Sequence, residues 1–418
     1  MRAGLLIIGS EILSGRTPDK NIEALATALR GKGMLIGKVV VIKDDIATIV
    51  ENMRALMQEF QWTFCSGGMG PTRDDMTKQA LCQLAGVPLE ENQQAEKLAL
   101  LHYQRYGRTW TRETNAYNLI PRGVIPLENP AGLAPGLFFT GEGRQLFCLP
   151  GVPREFKEML EQSTLPLVEQ HPAFSKATID YLTIRTYGVP EEKIFFQLCP
   201  KLWDDLEKFG EVSSLPHTVG IDIIVRLKEG LAKHETEQAL KALPSLAPLL
   251  PNIWQWGPLT FQEYLIELCA RKNVKIAVAE SCTGGLLAHK ITMVPGASQV
   301  FLGAVVSYDN EIKQEILQVR SQTLQAYGAV SVEVASEMAK NILQNFKADF
   351  SLSTTGIAGP EGGTEQKPVG MVCIATCTRD LAEAKIYHMK GDRALLKERF
   401  SDRALLDLIL RVENSPTY

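Results

Sequence analysis

An apolar run at 274–278 gives way to Ala279-Glu280-Ser281-Cys282-Thr283-Gly284-Gly285, and apolar residues resume at helical spacing over 286–294. A buried strand, a Gly-rich turn and a helix in that order confine this part of the chain to a layered α/β arrangement, with the turn at one end of a sheet. Backbone N–H groups converge on such a turn, and the helix dipole favours negative charge there. A serine in that place suits an anionic ligand or the oxyanion of an acyl-transfer intermediate. Taken alone, Ser-x-Thr-Gly-Gly reads first as a structural turn; the motifs that follow it change that reading.

The chain of 418 residues exceeds one ordinary core and predicts two or three domains. Its net charge of -4 offers no electrostatic footprint for nucleic acid or an anionic membrane surface. Residues 1–8 read as a first buried strand, without the long apolar stretch and small-residue cleavage site of a secretory signal. No apolar run reaches membrane-spanning length. None of the eight Cys stands in a C-x-x-C pair, and the six His form no H-x-x-x-H. That pattern argues against a structural zinc site and for a reduced, cytoplasmic setting.

Strand and helix alternate from the start, with strands expected at 5–8, 36–42 and 62–65 and helices at 21–29 and 46–57. This βαβαβ rhythm predicts a parallel sheet covered by helices on both faces. Helices at 95–106 and 113–119 follow, then strands at 137–140 and 145–149 and a closing helix from 154. Over 176–257 the texture changes: strands at 181–187 and 221–227 bracket helices at 191–202 and 234–243, a small α+β module with a proline-punctuated exit. From 259 onward helices at 261–271, 286–294, 332–346 and 394–412 alternate with five strands, a second α/β layered domain. The expected domains are 1–168, 176–252 and 259–416.

Three constellations accompany Ser281. Ser307-Tyr308-Asp309-Asn310-Glu311-Ile312-Lys313 ends a strand and starts a helix. A serine hydroxyl needs a base to become a nucleophile; with no His in these motifs, Tyr308 and Lys313 are the candidates. Ser353-Thr354-Thr355-Gly356-Ile357-Ala358-Gly359-Pro360-Glu361-Gly362-Gly363, running on to Lys367-Pro368-Val369-Gly370, marks a long loop after a strand, where α/β sheets bind ligands. Gly391-Asp392-Arg393 opens the last helix, with Asp392 suited to an N-cap and Arg393 to a phosphate or carboxylate.

In order and spacing, these motifs resemble the CinA C-terminal domain, a family that includes nicotinamide-mononucleotide amidohydrolases. The resemblance runs from about 259 to the C-terminus and implies hydrolysis of the carboxamide of nicotinamide mononucleotide to nicotinate mononucleotide and ammonia, with no cofactor. It implies Ser281 as nucleophile, Tyr308 and Lys313 as activating partners, Thr355 and Gly356 in the loop closing the pocket, and Arg393 on the substrate. The amides of Thr283, Gly284 and Gly285 are expected to line an oxyanion hole. Cys282 is a rival nucleophile. The family suggests a homodimer.

Two further Gly-rich connections lie near the N-terminus. Gly9-Ser10-Glu11 follows the first strand, with Asp19 and Asn21 close behind, and Ser66-Gly67-Gly68-Met69-Gly70-Pro71-Thr72 follows the third and runs into Asp74-Asp75. Such turns hold phosphates in parallel sheets. Glu11, Asp74 and Asp75 supply oxygen ligands for a divalent metal; Asp74 and Asp75 read alternatively as helix caps. With Ala134-Pro135-Gly136 and Leu149-Pro150-Gly151-Val152-Pro153-Arg154-Glu155, this half is similar to the molybdopterin-binding fold in the version joined to CinA domains. The similarity implies an ADP-ribose site at Gly9, Glu11, Asn21, Ser66, Gly67, Gly68, Gly70, Asp74 and Asp75, a metal-dependent pyrophosphatase activity, and a KH-like middle module. Gly188-Val189-Pro190-Glu191-Glu192 and Asn129-Pro130-Ala131-Gly132 depart from the family's G-I-G-E-S and N-x-V-G. A non-catalytic nucleotide sensor linked to competence or DNA damage is the alternative reading.

Overall fold

The computed structural model describes residues 1–176 and 179–415, and the chain divides into two compact units, Met1–Ile179 and Asp180–Tyr418. In the first, six strands lie side by side in the order Leu35–Ile42, Arg2–Ile8, Trp62–Ser66, Arg144–Leu149, Gly136–Gly141, Ile125–Leu127. The first four are parallel and the last two are added antiparallel. Leu6 and Ile8 enter one core with Ile49, Met53 and Leu56, whereas Leu5 and Ile7 enter another with Leu25, Leu29 and Phe156. A strand covered on both faces must be apolar at every position, and that is why 3–8 reads as an unbroken run.

Helix Ile46–Glu59 shows why the sheet is parallel here. Asp45 caps it by accepting the Thr48 N–H at 3.0 Å, and Ile49, Met53 and Leu56 form one buried stripe. The helix carries the chain back across the sheet, so the next strand starts from the same end. Truncating Met53 to Ala would cost about 2–5 kcal/mol.

The expected helix at 113–119 does not form; the segment is a turn leading into a short strand, Leu119–Pro121. Asn115 explains it. Its side chain accepts from Trp110 Nε1 at 2.8 Å and donates to the Tyr103 hydroxyl at 2.7 Å, local bonds that compete with helix formation.

The second unit holds two sheets. Four antiparallel strands run in the order Gly210–Pro216, Ile221–Leu227, Tyr181–Thr186, Ile253–Trp256. The expected helix at 191–202 is cut short: a helical turn from Glu191 ends as a π-helical stretch at Leu198, and a separate helix, Leu202–Glu207, follows Pro200. Proline lacks the donor an uninterrupted helix would need there.

Five strands form the other sheet, in the order Phe301–Val306, Ile276–Glu280, Phe350–Gly356, Met371–Cys377, Ala382–His388. The first three are parallel and the last two antiparallel. Helices Phe261–Lys272 and Arg393–Glu413 cover one face, and Val332–Phe346 covers the other. Among the described residues no helix is long and apolar enough to cross a membrane.

Candidate functional site

Ser281 follows Ile276–Glu280, the middle one of the three parallel strands. Glu280 is in register with Val306 on one side and Thr354 on the other. Three parallel strands therefore end together around the turn, where open α/β sheets receive ligands. The Ser281 N–H donates to the Thr354 carbonyl at 2.9 Å and the Ser307 N–H to the Glu280 carbonyl at 2.8 Å. Ser281 is left 8% exposed.

The amides of the turn are largely spoken for. Gly284 N–H donates to the Ser281 carbonyl at 3.1 Å. The Glu280 carboxylate, wholly buried, accepts from Gly285 at 2.9 Å, Leu287 at 3.1 Å and Ala288 at 2.8 Å. The expected oxyanion donors at Gly284 and Gly285 are thus committed inside the turn. Among the described residues, no backbone carbonyl accepts the N–H of Cys282 or Thr283. The Thr283 hydroxyl shares a hydrogen bond with Thr354 at 2.9 Å.

Cys282 is buried, and desolvation pushes its thiol up to about 12. At neutral pH it rests as a thiol, so like Ser281 it needs a base to attack and has no advantage of a preformed thiolate.

Lys313 lies in helix Asn310–Glu315, whose start is capped by Asp309 accepting the Glu311 N–H at 2.7 Å. Its side chain is 1% exposed, and Nζ donates to the carbonyls of Ser307 at 2.8 Å and Tyr308 at 3.1 Å. Burial lowers its pKa below the usual lysine value, against the opposing pull of Asp309. Tyr308 is 61% exposed. Its hydroxyl accepts from Arg393 Nη2 at 2.9 Å, and Arg393 Nη1 donates to the Gly359 carbonyl at 2.7 Å. Asp392 is the N-cap of the last helix, accepting the Leu395 N–H at 2.9 Å, while Arg393, although exposed, bridges two loops. The Thr355 hydroxyl is spent on the Ala329 carbonyl at 2.7 Å, and Gly356 ends the strand opposite Val372. Among the described residues no hydrogen bond joins the Ser281 hydroxyl to Tyr308 or Lys313.

Lys397 belongs to this neighbourhood and was not expected. A Cβ placed on Gly284, which adopts φ +59°, would sit 3.5 Å from Lys397 Nζ. Its spacing from Arg393, four residues along one helix, was the available signal.

In the first unit, Gly9, Glu11, Asn21, Ser66, Gly67, Gly68, Gly70, Asp74 and Asp75 line one cavity of about 720 Å³ at the strand ends. Asn21 is buried and donates to the Ser66 hydroxyl at 2.7 Å and the Gly151 carbonyl at 2.8 Å. Asp75 does not cap the following helix; it accepts from the Thr72 N–H at 2.9 Å and hydroxyl at 2.5 Å, closing the turn. The Thr72 hydroxyl also lowers the Asp74 pKa.

Asp44, Arg108 and Glu155 line the same cavity. Burial raises the Glu155 pKa although Asn129 Nδ2 donates to its Oε2 at 2.7 Å. Gly132 makes room for this pair, since a Cβ there would lie 2.0 Å from Glu155 Oε2. The departure at 129–132 therefore falls on the cavity wall, whereas Pro190 belongs to the second unit.

Among the described residues no three His, Cys, Asp or Glu side chains are gathered to hold a metal unaided. An acid-lined cavity of this kind fits an ion held by one or two carboxylates together with the phosphates of its ligand.

The family description "CinA C-terminal domain" matches residues 259–412, and "Probable molybdopterin binding domain" matches residues 4–170. A CinA-like protein of Chloroherpeton thalassium is 34% identical over 97% of this chain and 98% of its own length. The chain belongs to the CinA family. A CinA-like protein of Chlorobaculum tepidum is 33% identical over 99% of both chains. The crystal structure of a competence/damage inducible protein from Agrobacterium tumefaciens, 33% identical, aligns with a TM-score of 0.36 over 38% of this chain and 98% of its own.

Proposed function

We propose that the second unit hydrolyses the carboxamide of nicotinamide mononucleotide, releasing ammonia and nicotinate mononucleotide. The observation that carries this reading is the setting of Ser281: a nearly buried hydroxyl at the end of three parallel strands, beside backbone amides with no carbonyl partner. The serine oxygen attacks the amide carbon while its proton passes to Lys313 or Tyr308. The carbonyl electrons move to oxygen, where backbone N–H groups receive them. Collapse of that intermediate breaks the C–N bond, and ammonia leaves with the transferred proton. Water then cleaves the acyl ester, restoring the serine. A lysine with a depressed pKa suits the base.

The cavity of the first unit supports a second activity. Its size, its Gly-rich walls and its carboxylates suit ADP-ribose entering with a divalent cation, followed by pyrophosphate cleavage. A binding-only reading of the second unit draws on one observation, the engagement of Lys313 Nζ by two backbone carbonyls in place of Ser281.

Ammonia release from nicotinamide mononucleotide, with and without chelator, separates these readings when run on the full chain and its Ser281→Ala variant. Chelator-insensitive turnover that vanishes in the variant is the expected result. Saturable binding without turnover in the folded parent would replace the hydrolase with a sensor.

A further inference from the structure

Strand–glycine turn–helix connections ordinarily offer their first helical amides to a ligand's phosphate. Here a side chain of the protein has taken them. Glu280 is the last residue of the middle parallel strand, next to Ser281, and has no exposed surface. Its Oε2 accepts from Gly285 and Leu287 and its Oε1 from Ala288. The same residue's carbonyl accepts the Ser307 N–H, so its backbone is anchored to the neighbouring strand. A carboxylate accepting three N–H groups in a dry site is held by charge-assisted bonds, each stronger than a neutral one.

We infer that Glu280 is the positioning residue of the nucleophile turn: a built-in anion that fixes the path of 281–285 and leaves the amides of Cys282 and Thr283 as the donors facing the reacting oxygen. This rests on the proposed hydrolase for its catalytic meaning, although not for its geometry. Three consequences follow from the bonds described. The amides of 285, 287 and 288 are unavailable to substrate, so this helix start offers none of them to the phosphate of the nucleotide. The oxyanion is met by donors immediately after the nucleophile. Removing the carboxylate loosens Ser281 without touching any atom that contacts substrate.

Amide hydrogen exchange on the intact parent chain is the first test. Amides 285, 287 and 288 should exchange slowly and those of 282 and 283 quickly; equal exchange across the turn would overturn the proposal. Kinetics on Glu280→Gln should then show kcat down at least about tenfold with KM within about twofold, the pattern of an interaction needed in the transition state. A rise in KM alone would overturn it.

In Glu280→Ala, sodium formate should restore part of kcat and raise the melting temperature, and it should do neither in the parent. Formate acting equally on both proteins, or on neither, would also count against the assignment. Exchange and melting are read without turnover. Failure of the hydrolase reading would therefore appear as absent ammonia release alongside intact protection and formate-dependent melting.

Discussion

Arg393 holds Tyr308 from across the candidate site, its Nη2 donating to the phenol oxygen at 2.9 Å while Nη1 grips the Gly359 carbonyl at 2.7 Å. One guanidinium thereby joins the segment after a parallel strand to the glycine-rich loop. Arg393→Lys removes the two-pronged geometry but keeps the charge, and Tyr308→Phe removes the phenol hydroxyl that accepts from it. In a double-mutant cycle on kcat/KM these two changes should be non-additive, with a coupling of about 0.5–3 kcal/mol. Simple additivity would mean that the two residues act separately.

Ser281 and Cys282 are adjacent, yet only one is expected to matter chemically. Ser281→Ala should abolish ammonia release with an unchanged fold by circular dichroism. Cys282→Ala should stay within about threefold of the parent, because burial leaves the thiol without a preformed thiolate to compete with Ser281. Inactivation by Cys282→Ala together with survival of Ser281→Ala would reverse the roles.

The depressed pKa of Lys313 sets two pH dependences. If the neutral amine is the base, kcat/KM rises with pH through the folded-state pKa, below 10.5, and Lys313→Arg loses that rise. For stability, the folded pKa lies below the unfolded one, so the unfolded chain binds more protons between them. Burial of the ammonium thus costs most at low pH, and stability recovers as pH climbs through that window. Urea melts of the parent and Lys313→Met across pH 7–11 should show that recovery in the parent only.

Lys397 Nζ would lie 3.5 Å from a Cβ placed on Gly284, in the turn where Glu280 takes the helix-start amides. Lys397→Met should raise KM for nicotinamide mononucleotide about tenfold, the size of one charge-assisted contact. It should leave kcat nearly unchanged and weaken the salt dependence of KM. A fall in kcat at constant KM would place the ammonium elsewhere in the mechanism.

Gly132 gives an independent handle on the first unit. A methyl group there overlaps the Glu155 carboxylate and meets Asn129 Nδ2 at 2.6 Å. Gly132→Ala should therefore weaken ADP-ribose binding, measured calorimetrically with magnesium present, while ammonia release is unaffected. Undiminished binding would show that the Asn129–Glu155 pair is scaffold.

The parallel strands and their Gly-rich ends were legible because a strand buried on both faces is apolar throughout, as in Leu5–Ile8 and Ile276–Ala279. Strand Gly210–Pro216 escaped notice for the opposite reason: it is the edge of its sheet, four of its seven residues are exposed, and its order depends on pairing with Ile221–Leu227. The misjudged segments at 113–119 and 191–202 carried their own warnings in Asn115 and Pro200. At the candidate site the order of motifs drew attention to Ser281, Lys313 and Arg393. Which amides are free and which are spent is a matter of three-dimensional bonding. A glutamate closing an apolar strand was the one visible hint that a charge had a buried partner.

Trp254 is assigned by strand to the antiparallel sheet, yet its ring stacks on Phe261 with centroids 4.5 Å apart, inside the core beneath Leu265, Phe400 and Leu405. Arg185 of that sheet lies over the same indole, 5.3 Å from its centroid, and bonds the Leu259 carbonyl. Farther along, Asp402 is shared between Thr218 at 2.6 Å and Lys290 at 2.5 Å. Heat or denaturant therefore finds no weak seam at 252–259 along which the small sheet could peel away first. The helix that presents Arg393 is tied at Asp402 to a module that carries none of the proposed chemistry, and the two should come apart as one cooperative body.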